Sequence, residues 1–245
     1  MALGGVQVFP WSFGKRANMT AFRDRFVVAA FILLLARPVS GKVASDPWLI
    51  LADGKEGSIN AHTTRQDLVR AYGANNVVDR DLDVGEGEVE PGTILFPSDP
   101  ERSIEILWND VKTKTNPSSL TIRGNKSRWK ALHAISLGTT LKQLERLNGR
   151  PFQMSGYGWD YSGTVLSWDM GMLTHDLGQF DPQGVEHGRV ILRLNCGTAG
   201  AEPLTKEEDM QISGDRDFSS NNPVLQKMNP CVSEMVWVFP EKTKN

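Results

Sequence analysis

Residues 58–73 read S-I-N-A-H-T-T-R-Q-D-L-V-R-A-Y-G, and residues 134–149 read A-I-S-L-G-T-T-L-K-Q-L-E-R-L-N-G. Aligned without a gap, they share Ile59 with Ile135, Thr63 with Thr139, Thr64 with Thr140, Leu68 with Leu144, Arg70 with Arg146 and Gly73 with Gly149. Self-similarity of this kind is the mark of a repeated structural unit. Each stretch carries a helix start. Thr64 precedes Asp67 by three residues and Thr140 precedes Gln143 by three, the spacing at which a hydroxyl caps a backbone N–H and the later side chain reaches back. Leu68, Ala71 and Tyr72 share one helical face, as do Leu141, Leu144 and Leu147. Gly73 and Gly149 stand where a left-handed cap ends the helix. Two short helices are therefore expected.

After each helix the hydrophobic period changes. In the first copy Val77–Val78, Thr93–Phe96, Ser103–Trp108 and Leu120–Arg123 read as strands. In the second copy Phe152–Met154, Thr164–Trp168, Arg189–Leu194 and Glu234–Phe239 do so. Short connections rich in Gly, Pro, Asp and Asn favour antiparallel pairing. The expected fold class is α+β, with two tandem repeats of a short helical unit followed by an antiparallel sheet and the helices on one face. The expected organisation is a leader and signal over 1–45, a first repeat over 46–127 and a second over 128–245. The second repeat contains an irregular excursion over 196–230, rich in Gly, Ser, Asn and Asp.

The helical unit carries a G-x-T-x-x-x-L-x-x-x-x-G-like signature in Gly138, Thr140, Leu144 and Gly149, followed by Pro151. The first copy has His62 in place of the glycine and no proline after Gly73. Over about 57–240 the pattern resembles the superfamily of the β-lactamase inhibitor protein and the small outer-membrane lipoprotein of the barrel-assembly machinery. No cysteine directly follows the apolar N-terminal run, so the chain departs from the lipoproteins, whose anchor is a lipidated cysteine at that place. The resemblance implies non-catalytic binding proteins of the cell envelope.

Composition sets outer bounds. The chain has 245 residues, 40% hydrophobic and 23% charged, with a net charge of −2. That is an ordinary globular composition, with no general basic field to hold nucleic acid. Phe26–Ala36 is an unbroken apolar run, preceded by Lys15, Arg16, Arg23 and Arg25 and followed by small residues around Val39 and Gly41. Basic flank, short apolar core and small-residue exit are the parts of a secretory signal. The run is short for a bilayer span. Met19 is an alternative start that gives a compact signal. The expected locale is periplasmic or extracellular, with no stable membrane span once the signal is removed. Cys196 and Cys231 are the two cysteines, and in an oxidising compartment an even count favours one bridge.

Chemistry-bearing patterns are few. Asp79, Asp81, Asp83 and Glu90 have the oxygen spacing of a calcium loop, but Gly85 is one position late and Pro91–Gly92 excludes the exiting helix, so an acidic hairpin is expected. His62, His133, His175 and His187 form no metal-ligand pair at short spacing. No cofactor and no metal site is expected. The sequence has no nucleophile elbow, and G-Y-G-W-D-Y-S-G at 156–163 lacks the basic residue and helix of a phosphate loop. A secreted hydrolase with an acidic site near Asp160, Asp169 and His175 is one alternative function, and a carbohydrate-binding module is another. The aromatic residues carry the leading reading. If 157–161 is a strand, Tyr157, Trp159 and Tyr161 point to one side and make a ligand-binding platform; otherwise they pack as core. The leading expectation is a non-catalytic exported protein that binds another envelope or secreted protein through an open sheet face.

Overall fold

A computed structural model of the chain describes residues 46–54, 58–124, 126–178, 188–197 and 203–240, all within the unit Lys42–Asn245. The expected leader and signal lie outside the described residues, as does His187. The fold is α+β. Nine strands and five helices follow in the order α1 (Arg65–Tyr72), β1 (Val77–Gly85), β2 (Glu88–Leu95), β3 (Ile104–Asp110), β4 (Thr115–Arg123), α2 (Leu141–Asn148), β5 (Gln153–Ser155), β6 (Val165–Ser167), α3 (Leu173–Leu177), β7 (Arg189–Cys196), α4 (Lys206–Ile212), β8 (Asp217–Ser219), α5 (Pro223–Met228) and β9 (Cys231–Val238) among the described residues. Six strands form one antiparallel sheet in the order β1-β2-β3-β4-β9-β7, and three form a second in the order β6-β5-β8.

Both expected helices are present, each with a complete capping box, Thr64 with Asp67 and Thr140 with Gln143. The same hydrogen bonds surround both starts. Asn60 N donates to Thr63 Oγ1 at 2.9 Å and Ser136 N to Thr139 Oγ1 at 3.0 Å. Arg65 N reaches Lys114 O and Asn116 N reaches Thr63 O, while Leu141 N reaches Pro230 O and Val232 N reaches Thr139 O. Thr64 thereby bridges Thr115 at the start of β4, and Thr140 bridges Cys231 at the start of β9.

The strands after the second helix do not form one sheet. β7 and β9 extend the sheet begun by β1–β4, and β5, β6 and β8 make the small one. The stretch 196–230, expected to be irregular, contains α4, β8 and α5. Its helices begin in capping signals: Thr205 with Glu208, and Asn222 accepting from Val224 N ahead of Pro223. Ser220 Oγ and Gln226 Nε2 donate to the Glu145 carboxylate, tying the excursion to α2.

One face of the large sheet is apolar. Ile104, Ile106 and Trp108 on β3, Leu120 and Ile122 on β4, Met235 and Trp237 on β9, and Leu192 and Leu194 on β7 join one buried cluster with Leu68, Leu141 and Leu144. Trp129, Trp237, Phe152 and Phe239 are among its largest fully buried members. Trp108, Trp129, Trp168 and Trp237 all belong to this core. Cys196 and Cys231 are joined by a disulfide across a sequence separation of 35. A loop of that size adds about 3–4 kcal/mol on the chain-entropy account.

At the β1 edge a polar chain connects helix to core. Trp108 Nε1 donates to the buried Thr93 hydroxyl at 3.0 Å, and Thr93 donates to Asp79 Oδ1 at 2.9 Å. Asp79 also receives Arg65 from α1 at 2.9 Å and Lys114 at 2.7 Å. Burial alone raises the Asp79 pKa, but hydrogen bonds from Lys114, Arg65 and Thr93 outweigh it and hold the carboxyl below its ordinary value of 3.8. A carboxyl lowered in the folded state contributes stability above the unfolded value and loses it as pH falls through the folded one. Wild type is therefore expected to melt above Asp79→Asn at neutral pH, with the gap closing as pH drops below 3.8. Thermal melts of both proteins across the acid range check this; a gap of constant size would mean that the ionised carboxylate is not its source.

Candidate functional site

The opposite face of the sheet alternates with the core. Between the buried residues of β3, β4, β9 and β7 stand Glu105 and Leu107, Ser119, Thr121 and Arg123, Glu234 and Val236, and Arg193. The register sets them in rows: Glu105 beside Thr121 beside Val236, and Arg123 beside Glu234 beside Arg193. These side chains floor a groove of about 460 Å³.

The floor is a ladder of alternating charge. Arg123 ion-pairs with Glu105 through Nη1, and its Nε donates to Glu234 Oε2 at 2.7 Å. Glu234 also meets Arg193 Nη1 at 3.3 Å. Burial acts to lower the Arg123 pKa, but Glu105 and Glu234 more than reverse it, so the guanidinium stays charged. Arg193 Nε is buried without a hydrogen-bond partner among the described residues. The Arg193 guanidinium carbon lies 6.0 Å from the centre of the Tyr161 ring.

Two walls rise from opposite edges of the sheet. The first is the tip of the β1–β2 hairpin. Gly85, Glu86 and Gly87 all have positive φ, which makes the turn. The acidic segment 79–90 is thus a hairpin. Gly92 lets the hairpin lie close to the sheet: a Cβ there would stand 2.3 Å from Leu82 Cδ1 and 2.8 Å from Ile106 O. The buried Leu82 occupies that space and forms part of the groove lining. The second wall is the loop 157–163 at the β7 edge. Gly163, at φ +68°, brings it against the strand; a Cβ there would lie 2.3 Å from Leu194 O. Leu194 N donates to Gly163 O, and Thr164 bridges Arg193. Ser155 Oγ and Thr164 Oγ1 both donate to Tyr161 O, fixing the loop's crest. The walls meet: Tyr161 Oη donates to Glu86 Oε1 at 3.3 Å.

The segment 157–161 is a turn, so the expected alternation of its rings does not hold. Tyr157 is core. Its ring is 8% exposed, its hydroxyl donates to Leu194 O at 2.8 Å, and burial pushes its phenol pKa up. Trp159 is half-buried, donates Nε1 to Gly156 O at 3.0 Å, and meets the Tyr161 ring edge-to-face at 5.4 Å. Tyr161 is 48% exposed. The rings serve two concavities: Tyr161 borders the groove, while Tyr157 and Trp159 border a hollow of about 830 Å³ with Leu204, Ile212 and Met228.

The acidic-site alternative is dispersed. Asp160 lines the groove, Asp169 accepts from Gln153 Nε2 and Ser167 Oγ, and His175 is exposed on α3. No hydrogen bond among the described residues joins any two of the three. His133 instead pairs with Asp176 at 2.6 Å. Among the described residues no three His, Cys, Asp or Glu side chains gather as a metal site. Arg123, Glu234 and Arg193 were not singled out from the sequence; the acidic hairpin was expected, but not as the wall of a groove. The available signal was a charged residue next to a buried apolar one in each strand: Arg123 beside Ile122, Glu234 beside Met235 and Arg193 beside Leu192.

No protein-family model, curated protein or solved structure matches the chain.

The two tyrosines separate structure from surface. Tyr157→Ala is expected to cost about 3–5 kcal/mol, the range for emptying a buried aromatic site. Tyr161→Ala, which removes a half-exposed ring, is expected to cost about 1 kcal/mol or less. Denaturant midpoints of the two variants beside wild type test the assignment; equal losses would place Tyr161 in the core as well.

Proposed function

We propose that this chain is a non-catalytic protein of the cell envelope or secreted space that holds another protein against the open face of its six-stranded sheet. The observation that carries the proposal is the groove between the hairpin tip and the Tyr161 loop, whose floor is an ordered charge ladder. Such a floor offers directional partners and shape, which suits recognition. Two of the exposed large apolar side chains, Val84 and Tyr161, stand on the two walls, where apolar anchors in a polar surround favour docking. The Cys196–Cys231 disulfide fits an oxidising compartment, as does the signal pattern of residues 1–45. No helix among the described residues is long and apolar enough to cross a membrane.

In this reading the sheet descends from a tandem repeat, and the matched hydrogen bonds around Thr63–Thr64 and Thr139–Thr140 support it. The helices of both copies add Leu68 and Leu144 to the core shared with the apolar sheet face. That arrangement leaves the charged face for a partner. The family resemblance points to the same use of a sheet.

The test is capture from the host's envelope fraction with the tagged chain and with Thr121→Trp, which fills the groove from its floor. Wild type is expected to retain a partner that the variant loses at an unchanged melting temperature. A partner retained equally by both would place the docking surface elsewhere.

A further inference from the structure

We infer that the groove takes an extended basic segment of its partner, with lysine or arginine side chains directed at the walls. This rests on the docking role proposed above and names its chemistry. Within the floor, Glu105 and Glu234 are each matched by Arg123 or Arg193. The walls are different. Asp83, Glu86 and Asp160 line the same groove, and none of them has a cationic partner among the described residues. Among the described residues the Asp83 carboxylate accepts only Gly85 N, and that of Glu86 only the Tyr161 hydroxyl. The groove therefore holds five carboxylates against two guanidinium groups. The whole chain carries a net charge of only −2, so this excess is a local feature.

Shape and apolar surface refine the class. The floor crosses four strands, β3, β4, β9 and β7. At about 4.8 Å between strands that is about 14 Å, the reach of about four extended residues at 3.3 Å each. Val84 on the hairpin and Tyr161 on the loop are 38% and 48% exposed. The aliphatic stem of a lysine or arginine covers such surface while its head stays with a carboxylate. The exposed Tyr161 ring adds a face for a cation. A long basic side chain lying between the walls satisfies all of these groups at once, whereas an acidic segment would meet unpaired carboxylates on both sides.

The probe is fluorescein-labelled hexalysine, titrated into the full, disulfide-bonded chain by fluorescence anisotropy at physiological salt, with hexaglutamate and spermine beside it. Hexalysine is expected to bind and hexaglutamate to show no binding. The triple variant Asp83→Asn, Glu86→Gln, Asp160→Asn is expected to weaken hexalysine about tenfold or more, equivalent to about 1.4 kcal/mol. A control triple on exposed carboxylates away from the groove, Glu207→Gln, Asp215→Asn, Asp217→Asn, is expected to leave the affinity within about twofold, as distant screened charges do. Equal weakening by both triples would reduce the effect to general attraction and overturn the inference. Spermine binding as tightly as hexalysine would also overturn it, in favour of a small polyamine. Failure of hexalysine to bind, with capture still lost in Thr121→Trp, removes the basic segment and leaves the docking role. Capture indifferent to Thr121→Trp removes the docking role itself.

Discussion

Two pairs of adjacent threonines hold the helices to the sheet, and the groove depends on where they hold it. Thr63 and Thr139 each take a backbone N–H on the hydroxyl and another on the carbonyl. Thr64 and Thr140 cap the helices that follow. The carbonyl bonds come from Asn116 at the start of β4 and Val232 at the start of β9. Those two strands are neighbours inside the sheet, and together they supply Ser119, Thr121, Arg123, Glu234 and Val236 to the floor. A one-residue slip of either strand would turn its charged residues into the core and its apolar ones into solvent. The caps work against such a slip, because satisfying the exposed N–H groups of each helix start also fixes the strand beside it.

With the strands fixed, the charges on the open face constrain one another. Half-exposed ion pairs add little stability, and these are 43% exposed at Arg123 and 14% at Glu234. Their effect is order: Arg123 stands between two carboxylates, and Arg193 is held by Glu234 beneath the Tyr161 ring. The Asp79 cluster has a parallel role at the far edge, joining α1 to β1, β2 and the β3–β4 turn. The floor side chains are thereby tied to one another, while the walls, made of a glycine-rich hairpin tip and a turn, meet through one long hydrogen bond.

The parts of this arrangement that were legible in the sequence are the local ones. Thr64, Thr140, Gly73 and Gly149 marked both helices because capping involves residues three or four apart. Apolar periodicity found eight of the strands in outline and the α+β class. Pairing of strands is long-range, and nothing local told β5 and β6 to leave for a second sheet while β7 joined the first. The excursion 196–230 was misjudged on its Gly and Asn content, although Thr205 with Glu208 carried the same capping signal used for α1. The Y-G-W-D-Y segment suggested a strand by alternation, but Gly158 and Gly163 have positive φ, and such glycines mark turns. The charged floor was unread because its importance appears only when three or four strands are side by side.

The disulfide closes the longer of two connections that start beside a capped helix. β3 and β4 are joined by a tight turn, with Asp110 opposite Thr115 and the Asp110 carboxylate accepting from Lys112 N and Thr113 N. β7 and β9 occupy the corresponding place beside α2, with Cys196 opposite Cys231. Thr64 bridges Thr115, and Thr140 bridges Cys231. Where the first hairpin closes with a few residues, the second carries α4, β8 and α5 between its strands. Closing the longer loop costs more chain entropy, rising slowly with length. The covalent bond sits at its base, where Asp110 and Thr115 close the shorter hairpin with ladder and turn hydrogen bonds. It therefore fixes the start of β9 at the residue that α2 also grips, and through β9 it fixes Glu234 and Val236 in the floor. The long connection between β7 and β9 thus lines the second hollow beside Trp159 with Leu204, Ile212 and Met228, while the bond at its base keeps the strand that floors the groove in register.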